Sequence, residues 1–211
     1  MRYLFIAACA FIISESAAQA QIPVRFGLAL GVNFAGQSYA RDIYSPLTHR
    51  SGFLAGALVE VGISDLLYVQ AEPRYIQKGT KLYPFAMTMI PSPGPEGVET
   101  LDYLEVPLHL KTKFGTSDIK PFAFAGPTVG LLLSASEDVQ DFNIHDDSKD
   151  NYNSLDYSFD LGGGVEYRVS TSVSLFGNAC YSFGLRNISN QLDITIHSRG
   201  IQIVFGSLFT L

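Results

Sequence analysis

Glu105, His109 and Lys111 lie within one nine-residue stretch, Tyr103-Leu104-Glu105-Val106-Pro107-Leu108-His109-Leu110-Lys111. A carboxylate, an imidazole and an amine are the material of general acid–base chemistry, provided a substrate or nucleophile comes within hydrogen-bond reach. In an extended strand these three share one face with Tyr103 and Pro107, and Leu104, Val106, Leu108 and Leu110 share the other. The competing reading of the polar face is a structural ion-pair network. His49, His145 and His197 fall in segments predicted to be loops, and no spacing ties any of them to a serine in a recognisable motif.

Three further stretches have chemical potential. Ser134–Asp156 carries Glu137, Asp138, Asp141, Asp146, Asp147, Asp150 and Asp156 against Lys149 alone. Clustered carboxylates suit hard cations, but the glycine-punctuated spacing of a calcium loop is missing, so a solvated loop is the expectation. Gly162-Gly163-Gly164 precedes no helix, which rules out a phosphate cradle and points to close backbone packing or a bend. Asn187-Ile188-Ser189 fits a glycosylation sequon, a short match that chance also produces. No metal or cofactor is implied by any of these.

The elements that position these residues follow from periodicity. Arg25–Phe34 alternates Phe26, Leu28, Leu30, Val32 and Phe34 with Arg25, Gly27, Ala29, Gly31 and Asn33. Gly52–Ile63 sets Phe53, Ala55, Ala57, Val59 and Val61 against Gly56, Glu60 and Gly62, and Ser64-Asp65 then supplies a hairpin turn. Leu67–Lys78 sets Leu67, Val69, Ala71, Pro73 and Tyr75 against Gln70, Glu72, Arg74 and Lys78. Tyr103–Lys111 follows a Pro-rich connection over 79–101. Pro121–Leu133 has apolar residues on both faces. Tyr157–Val169 places Asp160, Glu166 and Arg168 on its polar side; Val173–Leu185 and Arg199–Leu211 complete the set.

These eight strands are joined by short and long connections in strict alternation, three short turns and four long loops. The expected fold is therefore all-β: an eight-stranded antiparallel up-and-down transmembrane β-barrel with short periplasmic turns and four long external loops. Closure leaves no unpaired strand edge in hydrocarbon. The polar faces then line the lumen, and Arg25, Glu60, Glu72, Arg74, Glu105, His109, Lys111, Asp160, Glu166 and Arg168 are expected to form a polar network there. Eight strands enclose only room for side chains, so that network would plug the barrel. On the apolar face Phe26, Tyr167 and Phe209 would mark the periplasmic interface, and Phe34, Phe53, Tyr75, Tyr157 and Phe183 the outer one. A soluble lipocalin-like barrel would need the opposite assignment, apolar inside and charged outside. Pro107 cannot donate to a ladder, and a bulge or irregular pairing shared with Pro73 is expected there.

Composition agrees. Charged residues make up 16 % of the 211-residue chain, against about 25 % in soluble proteins. No apolar run after the first twenty residues is long enough for a membrane helix. Met1–Ala20 reads as an export signal: Arg2, an apolar Tyr3–Ile13 core, and Ala18-Gln19-Ala20 as the cleavage site. Residues 21–211 form the expected barrel domain. Ile6-Ala7-Ala8-Cys9 also resembles a lipoprotein box, but cutting there leaves a short apolar core. With Cys9 removed, Cys180 has no intramolecular partner. Loss of Arg2 and Glu15 leaves the net charge at −6, and an acidic chain without a basic patch argues against nucleic acid.

Taken in order, Gly27, Gly31 and Asn33; Gly52-Phe53 and Gly56; Gln70, Glu72, Tyr75, Lys78 and Gly79; Tyr103–Leu108; Pro121-Phe122 with Gly126-Pro127; Gly162–Glu166; and Tyr181, Gly184-Leu185 and Asn187-Ile188 resemble the PorT-like outer-membrane β-barrel family of Bacteroidota. The resemblance spans most of residues 21–211 and implies an outer-membrane barrel without one set activity. Its name-giving member is linked to a secretion and gliding apparatus. The expectation is a non-enzymatic barrel in the bacterial outer membrane, surrounded by lipid, acting structurally or by docking a protein at its external loops or periplasmic face. A small-solute channel is the alternative, and an outer-membrane enzyme comes third.

Overall fold

A computed structural model describes residues 23–39, 48–82, 97–139, 144–190 and 195–210. The strands are β1 (Val24–Tyr39), β2 (Thr48–Gly62), β3 (Leu67–Ala71), β4 (Arg74–Leu82), β5 (Gly97–Lys113), β6 (Ile119–Val139), β7 (Ile144–Asp147), β8 (Leu155–Arg168), β9 (Val173–Gly184) and β10 (Ile196–Thr210). β3 and β4 occupy one place in the ring, both lying between β2 and β5. β1 pairs with β10 over fifteen residues and closes an antiparallel barrel of eight staves. β7 stands outside the ring and folds back on the end of β6.

Alternation decides which side chain meets which solvent. The outward row of β5 (Leu104, Val106, Leu108, Leu110) is about half exposed, and Tyr103, Glu105, His109, Lys111 and Lys113 of the same strand are buried inside. The outer wall forms a continuous apolar band. Phe26 faces Phe209 across the β1–β10 ladder near one edge. Phe53 stacks on Tyr75 at 5.2 Å, and Tyr181 meets Phe183 edge-on at 4.4 Å, near the other. Such aromatic rims suit the two lipid–water interfaces.

The strands run further than the sequence predicts. β1 continues to Tyr39, β4 to Leu82 and β6 to Val139, and β5 begins at Gly97, all within segments expected to be loops. In these extensions the inner face stays buried (Gln37, Thr80, Glu99, Ala135) and the outer face no longer has to be apolar, so the alternation fades from the sequence while each added residue still gains ladder hydrogen bonds. Asp156, expected to end a solvated loop, lies in β8 and is buried in the lumen.

Pro107 produces no bulge. β5 is continuous through it, and the register shift of the β5–β6 ladder falls at Asp102/Tyr103 instead. The irregularity lies in the facing strand: β3 stops at Ala71 and β4 starts at Arg74, with the same register to β5 on either side. Glu72 donates to the Pro107 carbonyl at 3.2 Å, and Ala57 donates to the Pro73 carbonyl at 3.1 Å. Each proline accepts and has no N–H to return the bond. A third gap, at Leu108 and His109, faces Gly126-Pro127 in β6. Three neighbouring staves thus each give up a ladder bond without slipping register.

Pro121–Leu133 looked ambiguous because Phe122 and Phe124 point inward with the polar residues, and both are buried. β8 makes room for them. A Cβ on Gly162 would stand 2.5 Å from Phe124 Cζ, and one on Gly164 2.7 Å from Phe122 Cζ. This is the close packing expected of the triple glycine, and it has two causes: the inward rings and the neighbouring backbone of β9, with Ala179 O 2.6 Å from a Cβ on Gly162 and Gly177 O closer still to one on Gly164.

Candidate functional site

The lumen concentrates the charged side chains, sorted into two layers. In the layer nearer the short turns, Arg25 pairs with Glu60 and, at 2.5 Å, with Glu166. Lys113 bridges the same two carboxylates at 2.7 and 2.6 Å, and Lys111 reaches Glu60 at 2.9 Å. In the outer layer Arg74 meets Glu105 at 2.8 Å, Asp160 at 3.4 Å and Glu72 at 3.7 Å. Lys78 sits between Glu105 at 2.6 Å and Asp156 at 2.9 Å. Gln70 joins the layers: its amide donates to Glu72 at 3.1 Å and its carbonyl accepts from Lys111 at 3.2 Å.

The layers differ in sign. Arg25, Lys111 and Lys113 face two carboxylates in the first, and Arg74 and Lys78 face four in the second. His109 sits on the anionic side, its Nε2 3.3 Å from Asp160. Aromatic faces supplement the carboxylates. Lys111 lies 4.0 Å from the Phe122 ring centre, Lys113 4.2 Å from that of Tyr68, and Lys78 5.0 Å from that of Tyr103. In a low-dielectric interior such ring quadrupoles help hold desolvated cations. The rest of the lumen is filled by an apolar wedge from the β1, β2, β9 and β10 side, including Leu54, Leu58, Phe176, Val204 and Leu208.

Nine of the ten residues expected in the network are buried together in the lumen; Arg168 is not. Its side chain is 45 % exposed and pairs with Asp118 at 3.3 Å at the rim. Parity still aims it inward, but β8 ends there, past the packed interior. Lys78, Lys113 and Asp156 belong to the network instead. Lys78 already stands on the polar face of the predicted Leu67–Lys78 strand, and Lys113 and Asp156 continue inward periods (109–111–113 and 156–158–160) one or two residues past predicted strand ends.

His109 and Asp160 resemble part of a catalytic dyad, with Thr128 also donating to Asp160 at 2.9 Å. The imidazole packs against Phe124 at 4.7 Å and is buried. Its surroundings are those of an ion-pair network. Among the described residues no group of His, Cys, Asp and Glu is placed to hold a metal ion. Part of the acidic stretch, with His145, falls on side chains outside the described residues, as do Met1–Ala20 and Cys9.

Above the outer layer two external segments interlock. Asn153 Nδ2 donates to the carbonyls of Asn187 and Ser189 at 3.1 and 3.0 Å, and Asn190 N donates to Asn151 O at 2.8 Å. Asn187 Oδ1 accepts from the backbone of Ser189 and Ile196, so the sequon asparagine serves as a local lock. Ile188 is wholly buried beneath this cap. Glu99 anchors it from β5, accepting from Gln37 at 2.5 Å and hydrogen-bonded to Tyr152.

A closed eight-stave ring with an apolar outside and a charged, packed inside defines an integral β-barrel of the bacterial outer membrane. Residues 17–190 match the outer membrane protein beta-barrel domain, and the chain belongs to that family. Among solved structures it is similar to OprG of Pseudomonas aeruginosa, with a TM-score of 0.56 and 12 % identity over 92 % of this chain and 98 % of that one. It is also similar to Neisserial surface protein A, with a TM-score of 0.50 and 15 % identity over 88 % and 97 %. No curated protein sequence matches the chain significantly.

Proposed function

We propose that this protein is a sealed, non-enzymatic outer-membrane barrel that works by presenting its external cap to a protein partner. The observation that carries the reading is the two-layer ion-pair network, which crosses the lumen between staves that do not neighbour each other: Arg25 of β1 to Glu166 of β8, and Lys78 of β4 to Asp156 of β8. A conducting path would have to strip such pairs, and breaking a buried pair costs about 3–5 kcal/mol. The interlocked Asn153–Asn187 cap closes the same axis from outside.

On this reading Met1–Ala20 is an export signal removed on secretion, and residues 21–211 are the mature barrel. The resemblance to PorT-like barrels of Bacteroidota supports a docking role in secretion or envelope assembly, since a barrel without a pore acts through its surfaces. Single-channel recording in planar bilayers tests the sealed lumen: the expected trace has no stable, sizeable openings. Such openings would favour the small-solute channel. Pull-down from solubilised envelopes, with and without Asn153→Ala to loosen the cap, tests docking. Capture that depends on an intact cap is expected.

A further inference from the structure

A groove of about 310 Å³ opens in the outer wall at the external edge of the apolar band, lined by Phe34, Gly36, His49, Tyr181, Arg199 and Ile201 among others. Register explains its shape. Gly36 of β1 lies directly opposite Arg199 of β10, one outward step above the pair Phe34 and Ile201. Ile201 in turn faces Tyr181 of β9. Gly36 has no side chain to fill the floor, and a Cβ there would stand 3.0 Å from His49 Nδ1, so the imidazole leans over it. The groove is apolar and aromatic on its membrane side and basic on its outer side. Below it the exposed Leu30, Val32, Ile203 and Phe205 carry the same surface into the band.

Arg199 is exposed, and among the described residues no carboxylate pairs with it. Its guanidinium presents a planar fork of donors that fits phosphate oxygens. A free phosphate would leave Phe34, Tyr181 and Ile201 uncovered. A neutral lipid would leave Arg199 without a counter-charge. We propose that this groove seats the phosphorylated headgroup of an outer-leaflet glycolipid, the phosphate over Gly36 between Arg199 and His49 and the acyl chains descending past Phe34 and Ile201. The site lies on the lipid-facing wall and is independent of whether the lumen conducts.

The test is lipid retention by native mass spectrometry on the full barrel reconstituted in nanodiscs. The probes are diphosphorylated lipid A, the same lipid A with its phosphates removed, and phosphatidylglycerol. Wild-type protein is expected to retain diphosphorylated lipid A preferentially. Removing the phosphates, or making Arg199→Gln, should each lower retention about fivefold, the weight of one interfacial basic residue. Gly36→Leu fills the floor, keeps both basic groups and should lower retention to a similar degree. Arg168→Gln, at the opposite rim, should leave it unchanged. Heat-modifiable migration reports folding of each variant, and Gly36→Leu carries the test should Arg199→Gln not fold. Retention that is indifferent to phosphate, or equal in wild type and the groove variants, would overturn the site. Phosphatidylglycerol held as well as lipid A would overturn its assignment to a glycolipid.

Discussion

Single residues in the lumen have outsized leverage because each ion satisfies several partners. Lys78 is the clearest case: it lies between Glu105 and Asp156, and Asp156 has no other cation within ion-pair distance among the described residues. Lys78→Met should therefore destabilise the barrel by about 3 kcal/mol or more, read by urea unfolding from lipid vesicles. The double variant Lys78→Met/Asp156→Asn should recover part of that loss, because it also removes the stranded charge. Packing residues follow a different rule. Gly162→Ala forces a methyl toward Phe124 Cζ at 2.5 Å and Ala179 O at 2.6 Å, and should cost about 1–3 kcal/mol. Adding Phe124→Leu should relieve the ring contact and leave the backbone one, so rescue will be partial. Failure of the pair to recover anything would mean the glycine is there for the backbone alone.

At the scale of elements, the external cap is held by one buried acid and a set of amide bonds. Burial raises the Glu99 pKa from its ordinary 4.5 against the hydrogen bonds of Tyr152 and Gln37, and Glu137, directly across the ladder, adds to the rise. The folded cap thus favours the protonated acid. Its contribution is full below pH 4.5 and is lost as the pH climbs through the raised value. Amide exchange at Tyr152, Ile188 and Ser189, corrected for intrinsic rate, should be slower at pH 5 than at pH 8, and Glu99→Gln should abolish the difference. Asn153→Ala removes two carbonyl partners and should expose the segment around Asn187 to protease without altering the barrel's migration on gels. Elements were also where the sequence was most readable. Seven of the eight staves could be placed from alternation, since lipid outside and packed charge inside impose opposite chemistry at most steps; Pro121–Leu133, apolar on both faces, followed only from its place in the order. Strand ends were lost where the apolar outer row gives out, and with them Lys113 and Asp156, which lie one or two residues past the predicted ends; Lys78 was already on the polar face of a predicted strand. The inward aim of Phe122 and Phe124 was also hidden. A phenylalanine suits lipid and lumen equally, and only the glycines of a stave distant in sequence show which one it meets.

As a whole molecule the barrel is a closed hydrogen-bonded cylinder with its charged side chains buried inside. Closure through the fifteen-residue β1–β10 ladder leaves no frayed edge in hydrocarbon, where each unsatisfied backbone group would cost several kcal/mol. The folded form should therefore survive detergent at room temperature and shift its gel migration only on boiling. A protein recovered from the soluble periplasmic fraction, with no such shift, would contradict the membrane placement. The three prolines of neighbouring staves, Pro73, Pro107 and Pro127, mark the side where the cylinder has the fewest ladder bonds. Chain-wide amide exchange should be faster across the transmembrane part of these three staves than across the unbroken β1–β10 ladder.

The length of β6 sets the stature of the molecule above its membrane. Twenty-one residues, tilted as barrel strands are, rise about 50 Å, roughly twice the apolar band they cross. The surplus stands on the external side, where β4, β5 and β6 continue together as a wall with β7 along its flank. Among the described residues β7 pairs with β6 alone and forms the last strand of this wall, on the side of the molecule away from the short turns.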